Sequence, residues 1–269
     1  MTIITLSSVV KAICLCYNIA TMNNLDLSGL NPVVAAKISP MVEDLLAEHA
    51  ANLHSFHVVG SAVIPDYNEK LSDINSVAVL HNMDLKFISF LAPLGRKYGK
   101  KRIAAPLVMT QEYIRRSLDV FPIEFLDFKL IHQTICGSDI LKDLQIDRPH
   151  LRLQCEREIK TKLINVRQGY ISSLGKKEHL VTVLVRSITG SMAFFRAIIT
   201  LLGKEPPVSR TDVISEFGAT TKIETDIFTD LLALKRRTIK PSERELHAMF
   251  ERYYNALEST DKIVDGLHV

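Results

Sequence analysis

The sequence carries little excess charge of either sign: 33 Lys and Arg stand against 30 Asp and Glu, for a net charge of +3 and a pI near 8.6. A balance so close to neutral gives no argument for a nucleic-acid partner, which calls for a clustered basic stripe. Cysteine is scarce. Cys14, Cys16, Cys136 and Cys155 form neither a C-x-x-C pair nor a dense framework. That excludes a disulfide scaffold and points to reduced thiols in a cytoplasmic protein. Tryptophan is absent, which decides nothing. There is no internal repeat and no low-complexity tract.

What is present fits a folded soluble protein: 47% hydrophobic and 23% charged residues. A length of 269 residues is long for one domain and comfortable for two. The opening "MTIITLSSVVKAICLCYNIAT" is apolar but interrupted by Lys11, lacks a basic leader, and is too short and broken for a membrane span. We expect an extension or an upstream start, with Met22 as the real beginning. A signal or anchor, or a docked helix, are the alternatives. Residues 1–40 read as an N-terminal extension, apart from the two domains.

From Met41 to about residue 148 the pattern alternates. "SPMVEDLLAEHAANLH" predicts a helix over about Val42–His54. "SFHVVGSAV" predicts a strand running into Gly60-Ser61, and "IPDYNEKL" a loop. "DINSVAVL" predicts a second strand, and "LKFISFLAPLGRKYGKK" a helix with a basic end. "IAAPLVMT" predicts a strand, "QEYIRRSLD" a short helix, and "VFPIEFLDFKLI" another strand with Pro122 near its start. A mixed sheet of four or five strands follows. From residue 149 to 269 the texture is amphipathic helix. "HLVTVLVRSITGSMAFFRAIITLLG" is apolar nearly all round and predicts one central bundle helix, with Arg186 and Arg196 inside it. The fold class is α+β: a mixed sheet with flanking helices, then an all-helical bundle.

The chemistry gathers in "VVGSAVIPDYNEKLSDINSVAVL", Val58–Leu80. A Gly turn lets backbone N–H groups face phosphate oxygens, and Ser61 adds a hydroxyl. Eleven residues separate Ser61 from Asp73-Ile74-Asn75. In a strand, Asp73 and Asn75 project together, and two oxygen ligands on one side suit Mg²⁺. A third carboxylate has to come from a neighbouring strand. "FPIEFLDF" offers Glu124 and Asp127, which a strand would point to opposite faces, so only one can line the site. Such a set supports two-metal nucleotidyl transfer, with the ions about 3.5–4 Å apart.

The ordered set Gly60-Ser61, Asp73-Ile74-Asn75 and "PIEFLDF" resembles the nucleotidyltransferase superfamily of DNA polymerase beta and the aminoglycoside nucleotidyltransferases. That family has a Gly-Ser turn, then Asp-hydrophobic-Asp/Glu, then an acidic residue on a later strand. "TICGSDIL" is similar to the segment that follows that strand in the aminoglycoside branch. The resemblance covers roughly residues 41–145 by motif and the rest by architecture. It implies that Gly60 and Ser61 bind ATP or another NTP and that Asp73, Asn75 and Glu124 hold Mg²⁺, with Mn²⁺ as a substitute. It implies that Asp73 and Glu124 are catalytic and that the product is a nucleoside monophosphate on a hydroxyl acceptor. A small molecule is favoured over a polymer, because there is no clear nucleic-acid track, and no membrane partner is expected. Asn75 departs from the pattern, since its amide brings no negative charge to two dications. The alternative is therefore a catalytically degenerate nucleotide-binding or protein-interaction module.

Other groups carry less. His54-x-x-His57 lacks a third ligand nearby in sequence. His132 follows the Glu124 segment and could touch the site. The basic stretches 95–102 and 235–237 suit solvated helix ends. Arg152, Arg157, Lys160, Lys162 and Arg167 form either a triphosphate contact or a plain polar face.

Overall fold

The computed structural model of the chain describes residues 25–65 and 67–268. The expectations for residues 1–21, and Cys14 and Cys16, lie outside the described residues. The chain forms two compact units. The first runs to Ser117 and resumes over Phe128–Leu144; the second comprises Leu118–Asp127 and everything from Gln145 onward. The division is thus not a single cut near residue 148, because the ten residues from Leu118 to Asp127 belong with the helical part.

In the first unit, α1 spans Pro32–His49. Asn31 caps it, its side chain accepting from the Val33 N–H at 2.9 Å, and Pro32 occupies the first turn, where no N–H is needed. Val34, Ile38, Met41, Val42 and Leu45 repeat at helical spacing and are buried. The fold therefore starts before Met41, and the helix runs through Pro40 instead of beginning after it. Strand β1 (Leu53–Val59) leads into a 3₁₀ turn, Gly60–Ala62. Then come β2 (Asn75–Leu80), α2 (Leu85–Gly99), β3 (Leu107–Thr110), α3 (Gln111–Arg116), α4 (Pro122–Leu130), whose residues up to Asp127 belong to the second unit, and β4 (His132–Gly137).

The sheet order is β3-β2-β1-β4, with β1 antiparallel to β2 and β4 and β2 parallel to β3. Phe56, Val58, Ile74, Ala78, Leu80 and Cys136 form a core with Ile38, Leu45, Phe87 and Tyr98 from α1 and α2. Strand alternation sends Ser55, His57, Val59, Asn75 and Val77 to the opposite face.

One expected strand is a helix. "PIEFLDFKL" forms α4, and Pro122, Ile123, Phe125 and Leu126 are its buried residues, a helical stripe and not an alternation. Aromatic and branched residues made the short apolar run look β-prone, yet the Phe125 N–H donates to the Phe121 carbonyl at 3.1 Å, a helical bond. Glu124 and Asp127, three residues apart on a helix, lie on one side of it, not on opposite faces.

The second unit holds α5 (Arg148–Ser173), α6 (Lys177–Ile188), α7 (Ser191–Leu201), α8 (Arg210–Thr221), α9 (Asp226–Lys235) and α10 (Glu243–Asp265). The expected central helix is two helices, α6 and α7, bent by 43° at a break where Gly190 takes φ +80°. Among the described residues no single helix is long and apolar enough to cross a membrane. Phe195 stacks on Phe217 at 4.4 Å and meets Phe228 at 4.8 Å, which centres the core on α7, α8 and α9. Ser242 and Glu245 close a capping box on α10.

Arg196 is buried in this unit, its side chain 4% exposed. Its guanidinium donates to Asp127 at 2.7 Å and to the carbonyls of Pro207 and Val208 at 3.0 and 2.7 Å. Burial pushes the Asp127 carboxyl up, and Arg196 opposes that push. The contact ties Leu118–Asp127 to the bundle and explains why that segment leaves the first unit.

Candidate nucleotide-binding site

Strand β1 ends at a bend that only glycine adopts without strain. Gly60 has φ +71°, and its N–H donates to the Ile131 carbonyl at 3.2 Å. A Cβ on Gly60 would meet nothing within 4 Å, so the backbone angle demands glycine there, and space lies open beside it. Ser61 follows, half-buried.

Val59, just before the bend, pairs with Asn75 on β2 and with His132 on β4. Asn75, Val59 and His132 therefore sit side by side across three strands. Asp73 and Asn75 are exposed, while Ile74 between them is fully buried. The two oxygen-bearing side chains leave the sheet together. Asp73 is not free: the Arg102 guanidinium approaches its carboxylate at 3.1 Å and also donates to the Leu71 carbonyl at 2.9 Å. Both partners are substantially exposed, so the pair adds little stability.

Glu124 belongs to the second unit and lies on α4. Its carboxylate accepts from the Gln154 amide at 2.8 Å, and the Gln154 carbonyl oxygen accepts from the Ile123 N–H at 2.8 Å. The third acid was expected on a strand, but β1 to β4 carry no Asp or Glu. Asp73 and Asn75 suit one Mg²⁺, which commonly takes one or two carboxylates and completes its shell with water and phosphate. The strands offer no further carboxylate for a second ion.

Beside this mouth, on the same face, is a polar group that sequence reading missed in part. His57 is fully buried, with Nδ1 2.9 Å from the Thr134 hydroxyl and Nε2 2.8 Å from the Ser55 hydroxyl. Burial first, and His132 second, hold the His57 imidazole down to about 4. His132 contacts Asp139 at 2.9 Å. Burial acts to raise the Asp139 carboxyl, but the contacts with His132 prevail and leave it below the ordinary value. The partners of His57 are His132 and Asp139, which lie more than 70 residues further along the chain than the near neighbour His54. The signal that could have found the group was His132 and Asp139 bracketing a strand that pairs with β1.

Four of the basic side chains on α5 engage partners inside their own unit, and Arg157 is exposed. Arg152 donates to the Leu267 carbonyl at 2.7 Å, Lys160 reaches Asp261 at 3.2 Å, Lys162 reaches the Ser187 carbonyl at 2.9 Å, and Arg167 pairs with Glu258 at 2.7 Å. In the 95–102 stretch, Lys97 pairs with Asp44 at 2.7 Å and Tyr98 is buried.

No protein-family model and no curated protein matches the chain. Among solved structures it is similar to spectinomycin adenyltransferase AAD(9) from Enterococcus faecialis, determined with ATP and spectinomycin. The TM-score is 0.51 over 83% of this chain and 98% of that one, at 12% identity. Identity this low speaks for the fold alone. The chain shares its fold with that structure: a mixed four-stranded sheet with helices, followed by a helical region.

Proposed function

We propose that the protein is a nucleotidyltransferase that binds Mg²⁺–ATP or another Mg²⁺–NTP and moves a nucleoside monophosphate to a hydroxyl of a small molecule. One observation carries this reading. The left-handed Gly60, with open space beside it, ends β1 next to Val59, and Val59 pairs with Asn75, which projects together with Asp73. Gly60 lets a phosphate approach the backbone, and Ser61 offers a hydroxyl donor. Asp73 and Asn75 supply oxygen ligands. Mg²⁺, when bound, supplies positive charge against the triphosphate. Release of Asp73 from Arg102 frees its carboxylate for that ion. The solved relative was determined with ATP and an antibiotic, which supports a small acceptor.

A second reading, nucleotide binding or protein interaction without turnover, is favoured by the neutral Asn75 and by the lack of an acid on the strands. Pyrophosphate release from a panel of labelled NTPs, with Mg²⁺ or Mn²⁺ and candidate hydroxylated acceptors, separates the two. Turnover in the wild type that is lost in Asp73→Ala supports transfer. Turnover that appears only in Asn75→Asp supports the binding module. Glu124→Gln, run beside them, tests whether that carboxylate serves turnover in addition to holding Gln154.

A further inference from the structure

We propose that His57, His132 and Asp139 form a binding site for a divalent first-row transition-metal ion, separate from the Asp73–Asn75 position. The inference does not depend on nucleotide transfer.

The three residues each present one ligand atom, and these atoms lie within 4.8 Å of one another. They come from the middle of β1, the start of β4 and the loop after β4, and all belong to the first unit. Metal–nitrogen and metal–oxygen bonds of about 2.0–2.2 Å place ligands of one ion roughly 3.3 Å apart. The ion would draw the widest pair inward by at most about 1.5 Å, within the reach of side-chain rotation.

His132 carries the argument furthest. Its Nδ1 lies 2.7 Å from the Phe128 carbonyl oxygen, which only accepts, so that nitrogen bears the proton. The Nε2 lone pair then faces the Asp139 carboxylate at 2.9 Å. Two electron-rich atoms hold that distance only with a positive centre between them, a second proton or a metal ion. A metal-bound histidine is held in the same way, its other N–H given to a backbone carbonyl. Asp139 is steadied in turn by the Lys142 N–H at 3.3 Å.

His57 is set for the same role. Its two nitrogens face the Ser55 and Thr134 hydroxyls, which rotate to donate or accept. Neither contact forces a proton onto a particular nitrogen, and the hydroxyl facing the nitrogen that takes the ion turns away to admit it; the ring plane stands 75° to that of His132 with centroids 5.9 Å apart. A cleft of about 340 Å³ lined by His132, Thr134 and Asp139 opens two of the three ligands to solvent. Three protein ligands leave coordination positions for water or a further group. Two imidazoles and one carboxylate suit Zn²⁺, Co²⁺, Fe²⁺ or Mn²⁺, whereas Mg²⁺ keeps to oxygen and belongs at Asp73 and Asn75.

The test uses the full chain, stripped with chelator and dialysed against Zn²⁺ in excess Mg²⁺, with Co²⁺ as a visible-absorption probe. The wild type is expected to retain one more Zn²⁺ than the His132→Gln/Asp139→Asn double variant and to show Co²⁺ ligand-field bands that the double variant lacks. Each single variant should weaken binding at least ~10-fold. Asp73→Ala should leave it unchanged, so failure here and failure of nucleotide binding are told apart. If the variants do not fold, Co²⁺-induced shifts of the His57 and His132 imidazole resonances in the wild type take their place. Equal Zn²⁺ uptake by wild type and double variant, or unshifted resonances, overturns the proposal and leaves a proton-bridged His–Asp pair.

Discussion

Asn75 lies directly across the sheet from Val59, the residue that delivers the chain into the left-handed bend at Gly60. One antiparallel pairing thus brings the glycine turn and the oxygen-bearing strand start to the same end of the sheet. Substitutions on either side of that pairing should affect nucleotide binding while the hydrophobic core beneath stays intact.

Gly60→Ala is the direct test of the bend. An L side chain at this angle costs about 1–2 kcal/mol. We expect a lower melting temperature of corresponding size and weaker NTP binding by titration calorimetry. An unchanged affinity would remove the bend from the site.

Asp73→Ala should weaken the Mg²⁺-dependent part of nucleotide binding about tenfold or more, while thermal stability changes little because the Arg102 pair is largely exposed. Arg102→Ala should lose its contacts to the Leu71 and Ser72 carbonyls and loosen the approach to Asp73. Calorimetric titrations with and without chelator measure both effects.

Arg196→Met should be among the most destabilising changes in the helical unit. It strips Asp127 and the carbonyls of Pro207 and Val208 of their donor, and removal of one partner from a buried pair costs about 3–5 kcal/mol. Denaturant unfolding followed by circular dichroism reads the loss. The double change Arg196→Met/Asp127→Leu should recover part of it, because the uncompensated charge is gone.

Cys136 and Cys155 are buried, and burial pushes both thiols up, Cys136 to about 12. Alkylation at neutral pH followed by peptide mass spectrometry should leave both unmodified in the native protein and label both in denaturant. Native labelling of Cys155 would show that α5 opens.

The entry into β2 was legible because alternation is local: Ile74 buried between exposed Asp73 and Asn75 is a pattern of chain neighbours. Helix α4 was not. Its apolar run is short enough to suit either period, and the choice was made by Gln154, which accepts the Ile123 N–H and donates to Glu124, and by Arg196, which holds Asp127. Both anchors lie far along the chain. The misreading of α4 also misassigned the directions of Glu124 and Asp127, since a helix puts residues three apart on one side.

By itself, the sequence determined the α+β class, the change to helix in the second half, the Gly-Ser bend and the paired projection of Asp73 and Asn75, all of which follow from periodicity and backbone preference over a few residues. Only the tertiary structure decided that β1 to β4 supply no further acid, that the long apolar run breaks at Gly190, and that His57, His132 and Asp139 meet. Those outcomes depend on which distant segments pack together, and packing is set by burial and pairing between residues whose separation in sequence leaves no local trace.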